Sequence, residues 1–234
     1  MSFLSPAADA WHAGAPAAMG GQSLAATIDV APVSTVLARL HAQDRRGALS
    51  GGSATAAAGA APASGRTHVP ASAAQGRFLY LIARAINAQN IVEFGSSAGL
   101  STLYLAAAAH DNFGGHVIGT EISPDRHALA TRHLREAGLE RFVDLRCGDA
   151  RVTLSADLPR SIDMVLLDGS KDLYRPVLDL LRSRLRPGAV VLADQVHTYR
   201  QTLAPLVCGL KSGTAGFQSG TLPFPAGLEF AIVC

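Results

Sequence analysis

The sequence predicts an α/β fold, a doubly wound Rossmann-like sheet of about seven mostly parallel strands with helices on both faces. Helix and strand patterns alternate from His68 onward, as expected for right-handed strand-helix-strand units. In addition, four apolar runs each end on a carboxylate, at Glu93, Glu121, Asp168 and Asp194. Such strand ends are typical of open sheets that bind a ligand at their carboxyl edge.

The first part of the 234-residue chain differs in composition from the rest. Residues 1–65 are rich in Ala, Gly and Ser, and Phe3 and Trp11 are their aromatic residues. This segment can therefore bury little apolar surface to offset the entropy of ordering. We predict a partly flexible, irregular N-terminal extension over residues 1–65, followed by one α/β domain over residues 66–234.

One piece of this extension has a regular pattern. Residues 31–46 place apolar side chains at helical spacing and predict a short helix that docks on the domain or on a partner chain. Residues 47–65 then predict a flexible linker.

The elements of the domain follow in order from local patterns. Ser72 and Gln75 form a capping box that opens the first helix. Ser123-Pro124-Asp125 starts another helix with a cap, a first-turn proline and a first-turn acid. Arg186-Pro187-Gly188 predicts a turn, and a polar helix at residues 197–210 leads to a Gly-rich hairpin. Strands are predicted at residues 90–94, 116–120, 142–146, 162–167, 189–193 and 228–233.

Charge and composition argue against several classes of function. The formal net charge is +2, and the basic residues are spread along the chain, so neither nucleic acid nor an anionic membrane is an expected partner. No stretch approaches the ~20 apolar residues of a membrane span, and we expect a cytoplasmic protein. Cys147, Cys208 and Cys234 are spaced for neither a disulfide framework nor a metal-binding pair, so we expect them to be reduced and structural.

The loop after the first strand predicts the ligand. Glu93, Gly95 and Gly99 give the spacing Glu-x-Gly-x-x-x-Gly. A dinucleotide loop needs Gly-x-Gly-x-x-Gly, and Ser97 and Leu100 stand where its second and third glycines belong. An acid at this strand end repels phosphate and suits a ligand with an ammonium and a sulfonium. The spacing therefore predicts S-adenosylmethionine as the cofactor.

Two further acids are placed to contact such a nucleoside. Glu121, at the end of the second strand, can accept hydrogen bonds from both hydroxyls of a ribose. The alternative for Glu121, as for Glu93, is a helix-capping or solvated acid. Asp149, after the third strand, either accepts from the exocyclic amine of adenine or caps the next short helix.

Oxygen donors cluster at the ends of the fourth and fifth strands. Asp168, Asp194 and the amide carbonyl of Gln195 are the hard donors that Mg²⁺ or Ca²⁺ prefers. A metal there would orient two neighbouring substrate oxygens and lower the pKa of a hydroxyl. The alternative is that both aspartates cap loops or hold water.

Lys171 follows Asp168 by three residues, near a helix N-terminus where the helix dipole disfavours a cation. We interpret it as a base for a phenol or an alcohol. The alternative is a solvated surface lysine paired with Asp172.

Over residues 68–234 these motifs resemble the class I S-adenosylmethionine-dependent O-methyltransferases, and within them the cation-dependent branch of catechol and caffeoyl-CoA O-methyltransferases and their bacterial relatives. The resemblance implies Asp168 and Lys171 as catalytic residues and Asp168, Asp194 and Gln195 as metal ligands. The third ligand of the family is usually Asn, so Gln195 is a departure. The residues that the resemblance assigns to the cofactor are Glu93, Gly95, Ser97, Gly99, Ser101, Glu121, Gly148, Asp149, Ala150 and Asp168.

The predicted function is thus S-adenosylmethionine-dependent transfer of a methyl group to a hydroxyl oxygen of a small, catechol-like acceptor, assisted by a divalent cation such as Mg²⁺. Family members are commonly dimers, so we expect a homodimer, with the helix at residues 31–46 as a candidate contact. One alternative is a metal-independent O- or N-methyltransferase of a small metabolite. Another is a cofactor-binding protein whose catalytic half has decayed.

Overall fold

A computed structural model describes residues 25–49, 72–213 and 215–234. Most of the predicted linker, the boundary at residue 65, and Phe3 and Trp11 lie outside the described residues. The helix predicted at residues 31–46 is present as α1 (Val33–Leu49), preceded by a short 3-10 turn at Thr27–Asp29.

The remaining elements alternate along the chain as predicted. The helices are α2 (Ala73–Ala85), α3 (Leu100–Asp111), α4 (Pro124–Glu136), α5 (Ala150–Thr153), α6 (Tyr174–Leu181) and α7 (Arg200–Lys211). The strands are β1 (Asn90–Phe94), β2 (His116–Glu121), β3 (Val143–Cys147), β4 (Ile162–Leu167), β5 (Leu185–Asp194), β6 (Phe217–Leu222) and β7 (Leu228–Val233).

The strands form one seven-stranded sheet in the order β3-β2-β1-β4-β5-β7-β6. The first five strands of this order are parallel, and β7 runs antiparallel to both β5 and β6. The order reverses between β1 and β4, where Phe94 pairs with both Thr120 and Leu167. The carboxyl edge at such a switch point is where open sheets bind ligands. The predicted Rossmann-like sheet is confirmed.

The fifth strand differs from its prediction. It begins at Leu185, so Arg186-Pro187-Gly188 lies within the strand and the turn predicted there is wrong. The pairing of β4 with β5 shifts register between Ile162 and Met164, and Gly188 has φ +75°. Proline and glycine are tolerated in a strand at such a bulge, which explains why a turn pattern occurs here without a turn.

The sheet is covered on both faces. Helices α1 to α4 pack on one face and α5 to α7 on the other. In α3, Ala106 to Ala109 are fully buried, and their small side chains let this helix lie between the sheet and the outer helices α1 and α2. Among the described residues, none of the helices has the length and apolarity to cross a membrane.

The apolar face of α1 is buried in its own domain. Val33, Val36, Leu37 and Leu40 are at most 7% exposed and belong to the core that α2 and α3 share. The helix was predicted to dock on the domain or on a partner chain, and the structure shows it docked on the domain. The cysteines are unpaired as expected but lie at the surface, so they do not support the core.

Asp111, the last residue of α3, fastens the segment before α1 to the domain. Its carboxylate accepts hydrogen bonds from the main-chain N–H of Thr27 at 3.0 Å, the Thr27 hydroxyl at 2.5 Å and the Tyr80 hydroxyl at 2.6 Å. Burial raises the pKa of Asp111, but these bonds and that with His110 outweigh burial and hold the pKa below its ordinary value.

Asp111→Asn is therefore expected to lower the free energy of unfolding by about 1–3 kcal/mol at neutral pH. The pKa is lower in the folded state, so the contribution is fully present above the unfolded-state pKa and is lost as the pH falls through the folded-state pKa. Urea unfolding of both proteins across a pH series should show the difference shrinking below about pH 4. A difference that stays constant into strong acid would contradict this.

Candidate functional site

A cavity of about 330 Å³ opens at the carboxyl edge of the sheet, at the switch point between β1 and β4. Its size lies within the range of roughly 300–1,000 Å³ that is usual for small-molecule sites. The structure brings together at its wall these predicted site residues: Gly95, Ser97, Glu121, Gly148, Asp149, Ala150, Asp168, Lys171 and Gln195.

Four predicted residues do not line this cavity: Glu93, Gly99, Ser101 and Asp194. Glu93 is fully buried, and its Oε2 accepts hydrogen bonds from the hydroxyls of Ser96 at 2.7 Å and Thr102 at 2.5 Å. Burial raises the pKa of Glu93, and the surrounding hydroxyls only partly oppose this effect. Gly99 starts α3 with φ +87°. Glu93 and Gly99 therefore stabilise the loop after β1 without lining the cavity. Their contacts with the cofactor stay predictions.

Gly95 lets the loop after β1 touch the loop after β4. Its φ is +95°, and an added Cβ would lie 2.5 Å from both the N and the Cα of Gly169. The main-chain N–H of Asp168 donates to the carbonyl of Phe94 at 2.8 Å, which joins the same two loops. This close approach places Asp168 beside the predicted cofactor loop.

Gly95→Ala is expected to destabilise the protein by more than about 3 kcal/mol, because backbone strain and a main-chain clash add together. Gly138→Ala is the matched control, since Gly138 also has positive φ (+70°) but an added Cβ would meet nothing within 4 Å. The control should cost only about 1–2 kcal/mol. Equal losses in denaturant unfolding would show that the contact with Gly169 has no energetic consequence.

Glu121 is oriented by the main chain. Its Oε2 accepts from the N–H of Ser97 and its Oε1 from the N–H of Ser123, both at 2.8 Å. Each carboxylate oxygen can accept a second hydrogen bond. The carboxylate at the cavity wall therefore keeps capacity for two hydroxyl donors.

Asp149 caps α5, which was one of its two predicted roles, the other being contact with adenine. Its Oδ1 accepts from the N–H of Arg151 at 2.8 Å, and the Arg151 guanidinium donates to Oδ2 at 2.6 Å. This side-chain pairing lowers the pKa of Asp149 to about 2. Since Asp149 also lines the cavity, capping does not exclude contact with a ligand.

Lys171 lies at the floor of the cavity with only 7% of its side chain exposed. Its Nζ donates to Asp168 Oδ1 at 3.3 Å and to the Tyr174 hydroxyl at 2.6 Å. Asp172 instead accepts from the Ser170 hydroxyl. The alternative of a solvated lysine paired with Asp172 is therefore wrong.

Burial disfavours the charged form of both aspartates at the ends of β4 and β5. Burial raises the pKa of Asp168 well above its usual range, and the nearby charge of Asp194 adds to this effect while Lys171 opposes it. Burial also raises the pKa of Asp194, against hydrogen bonds from Gln75 and Gln195. A cation beside both carboxylates would relieve this repulsion.

A divalent cation at this site needs a third oxygen ligand beside the two aspartates. The described residues contain no group of three His, Cys, Asp or Glu side chains that could hold one, and Gln195 is the third protein oxygen donor that the resemblance implies. The Gln195 Nε2 lies 3.3 Å from Asp168 Oδ1, and a half-turn of the amide exchanges its nitrogen and oxygen. Two oxygens on one octahedral Mg²⁺ stand about 3.0 Å apart. The longer Gln195 side chain therefore keeps its amide within reach of a cation on Asp168, so these two donors fit a divalent cation.

Residues 92–196 match a family profile described as a methyltransferase domain. The catechol O-methyltransferase of Niastella koreensis is 33% identical over 135 residues, which cover 56% of this chain and 60% of that protein. The catechol O-methyltransferase of Mycobacterium tuberculosis is 33% identical over 141 residues, covering 60% of this chain and 63% of that protein.

The predicted resemblance to the O-methyltransferases is confirmed.

The chain spans about three fifths of the length of these two curated relatives. Solved structures share this fold. An O-methyltransferase from Bacillus cereus in complex with SAH superposes with a TM-score of 0.66 at 20% identity, covering 89% of this chain and 94% of that chain. TomG from Streptomyces achromogenes, in complex with SAM, gives 0.65 at 24% identity, covering 85% and 89%.

The sequence analysis does not identify three side chains that lie at or beside this cavity. Tyr199 lines the cavity, and Tyr174 lies beneath Lys171. The capping box predicted for Ser72 and Gln75 is only partly present. The Ser72 hydroxyl accepts from the Gln75 N–H, but the Gln75 side chain forms a hydrogen bond with Asp194. The Lys-x-x-Tyr spacing was a usable pattern for Tyr174, since residues three apart share one helix face.

Proposed function

We propose that this methyltransferase domain, over residues 66–234, transfers the sulfonium methyl group of S-adenosylmethionine to a hydroxyl oxygen of a small, catechol-like molecule. The observation that carries the proposal is one cavity with Glu121 on its wall and with Asp168 and Lys171 at its floor. A carboxylate that can accept from ribose hydroxyls and an amine that can accept a proton would thus serve the same bound ligands. The names of the two catechol O-methyltransferase relatives support this acceptor class.

In this proposal the cavity wall binds the cofactor in two parts. Glu121 accepts from the ribose hydroxyls, and Gly148, Asp149 and Ala150 border the adenine. Gly95 and Ser97 border the methionine part, while Glu93, Gly99 and Ser101 shape the loop that presents them. This assignment uses the spare acceptor capacity of the Glu121 carboxylate.

The reaction is an in-line displacement. The acceptor oxygen forms a bond to the methyl carbon as the carbon–sulfur bond breaks, and its electron pair stays on sulfur. The hydroxyl proton passes to Lys171 in its amine form. The main contribution of the site is to hold oxygen and methyl group at near-attack distance.

We infer that Asp168, Asp194 and Gln195 hold a divalent cation such as Mg²⁺. When bound, it would orient two neighbouring acceptor oxygens and lower the pKa of the reacting hydroxyl. Support comes from the raised pKa of both aspartates and from the reach of the Gln195 amide.

One observation favours a metal-independent methyltransferase as the second candidate. Lys171 Nζ and Gln195 Nε2 both lie 3.3 Å from Asp168 Oδ1, so this carboxylate has donors without a metal. A decayed cofactor-binding protein is the third candidate.

We also propose that the protein acts in the cytoplasm as a homodimer. Any dimer contact on α1 would use the side of the helix that faces away from its own core.

An activity assay separates these candidates. The protein is incubated with S-adenosylmethionine and a panel of catechols, flavonoids and hydroxamates, with Mg²⁺ or with EDTA, and the products are identified by mass spectrometry. We expect a singly methylated catechol that is lost with EDTA. Product that persists in EDTA would favour the metal-independent enzyme. Cofactor binding without any product would favour the decayed protein.

A further inference from the structure

Lys171 is a cation at the start of a helical segment, where the helix dipole does not hold it. A lysine side chain is long, and its ammonium is strongly hydrated, so it normally extends to water. Here its side chain is buried. Specific contacts must therefore hold it inward.

The shortest of these contacts is with Tyr174. The Nζ atom lies 2.6 Å from the Tyr174 hydroxyl oxygen, against 3.3 Å from Asp168 Oδ1. It also lies 4.8 Å from the centroid of the Tyr174 ring and 5.4 Å from that of Tyr199. The face of an aromatic ring at the distance of Tyr199 attracts an ammonium, whereas Tyr174 acts through its hydroxyl.

Tyr174 is itself fixed. Its side chain is fully buried, and its ring contacts Phe94 edge-on at 6.2 Å between centroids. Its hydroxyl donates to the main-chain carbonyl of Asp194 at 3.2 Å. Because the hydroxyl donates its proton to the Asp194 carbonyl, its oxygen accepts a hydrogen bond from Lys171. A directed chain of hydrogen bonds thus runs from Lys171 through Tyr174 to the end of β5.

We propose that Tyr174 is a positioning residue that holds the Lys171 amine beside Asp168 at the floor of the cavity. The catalytic consequence rests on the proposed role of Lys171 as the base. The positioning itself is a statement about where the side chain lies, and it can be measured without turnover. Without the hydroxyl, Lys171 keeps one longer hydrogen bond and becomes free to turn toward water.

The test uses the fact that Lys171 and Lys211 are the only lysines of the chain. Wild-type protein, Tyr174→Phe and Tyr80→Phe are treated with a water-soluble acetylating reagent, and the labelling rate of each lysine is read by peptide mass spectrometry. Tyr80→Phe is the matched control, because Tyr80 is also buried and its hydroxyl donates to Asp111 away from the cavity. Lys211, with 45% of its side chain exposed, is the internal reference.

We expect Lys171 to be labelled more slowly than Lys211 in the wild type and in Tyr80→Phe, and several-fold faster in Tyr174→Phe. We also expect Tyr174→Phe to lower kcat by about tenfold, the upper end of the loss expected for one hydrogen bond, with the KM for a catechol within about twofold. In a Lys171→Met background the same substitution should cost nothing further, because its effect acts through Lys171.

An unchanged Lys171 labelling rate in Tyr174→Phe would overturn the positioning role. Faster labelling with unchanged kcat would support the positioning and overturn Lys171 as the base, so the two failures are distinct. If Tyr174→Phe does not fold, nuclear Overhauser contacts between the Lys171 ε-methylene and the Tyr174 ring in the wild type decide the matter. Their absence would overturn the proposal.

Discussion

Replacing Asp168 by Asn is expected to lower kcat by roughly 10²- to 10⁴-fold, while the Kd for S-adenosylhomocysteine changes by less than about threefold. Asp168 contacts Lys171 and Gln195 at the cavity floor, and none of its contacts reaches Glu121. Loss of the carboxylate removes the partner of the proposed base and one proposed metal ligand. Single-turnover kinetics and calorimetric titration of the same preparation measure both quantities.

Asp172→Asn is the matched control for this prediction. Asp172 is exposed, lies four residues further along and accepts from Ser170 rather than from Lys171. The control should leave kcat within about twofold, as is usual for surface substitutions. Equal losses of turnover and cofactor affinity in Asp168→Asn would contradict the assignment of Asp168 to the acceptor end.

Glu121→Gln should give the opposite result. We expect the Kd for S-adenosylhomocysteine to rise by about 10- to 100-fold, because charge-assisted hydrogen bonds to the ribose are lost. At saturating S-adenosylmethionine, kcat should stay within about threefold, since uniform binding does not alter the chemical step. Titration calorimetry gives the Kd, and initial rates at high cofactor concentration give kcat.

Asp125→Asn controls for a loss of negative charge near the same loop. Asp125 is an exposed acid in the first turn of α4, four residues from Glu121. Its substitution should leave the Kd within about twofold. An unchanged Kd in Glu121→Gln would remove the ribose role and leave Glu121 as the acceptor of the Ser97 and Ser123 N–H groups alone.

Much of the fold was readable from sequence because its patterns are local. β1, β4 and β7 begin and end at the predicted residues. Each is a mostly apolar segment that directly follows a polar or glycine residue. The start of α4 was equally clear, since Ser123, Pro124 and Asp125 each satisfy a separate requirement of a helix N-terminus. In a parallel sheet the carboxyl ends of the strands lie at one edge, so acids at those ends are placed at the same edge regardless of loop conformation.

Other features depend on partners distant in sequence. Proline and glycine at 187 and 188 fit a turn and a bulge equally well, and only pairing with β4 decides between them. The inward direction of Glu93 was hidden because β1 is buried on both faces, so no alternation marks one side. The contact of Gln75 with Asp194 joins α2 to β5 and has no local pattern.

The most direct test of the account is calorimetric titration with S-adenosylhomocysteine, followed by a catechol with Mg²⁺ or with EDTA. We predict micromolar binding of S-adenosylhomocysteine and catechol binding that requires Mg²⁺, which would make Gln195 a working ligand. Catechol binding that is indifferent to the metal would remove Asp168 and Asp194 as ligands. No binding of S-adenosylhomocysteine would contradict the central claim that the cavity beside Gly95 and Glu121 is a cofactor site.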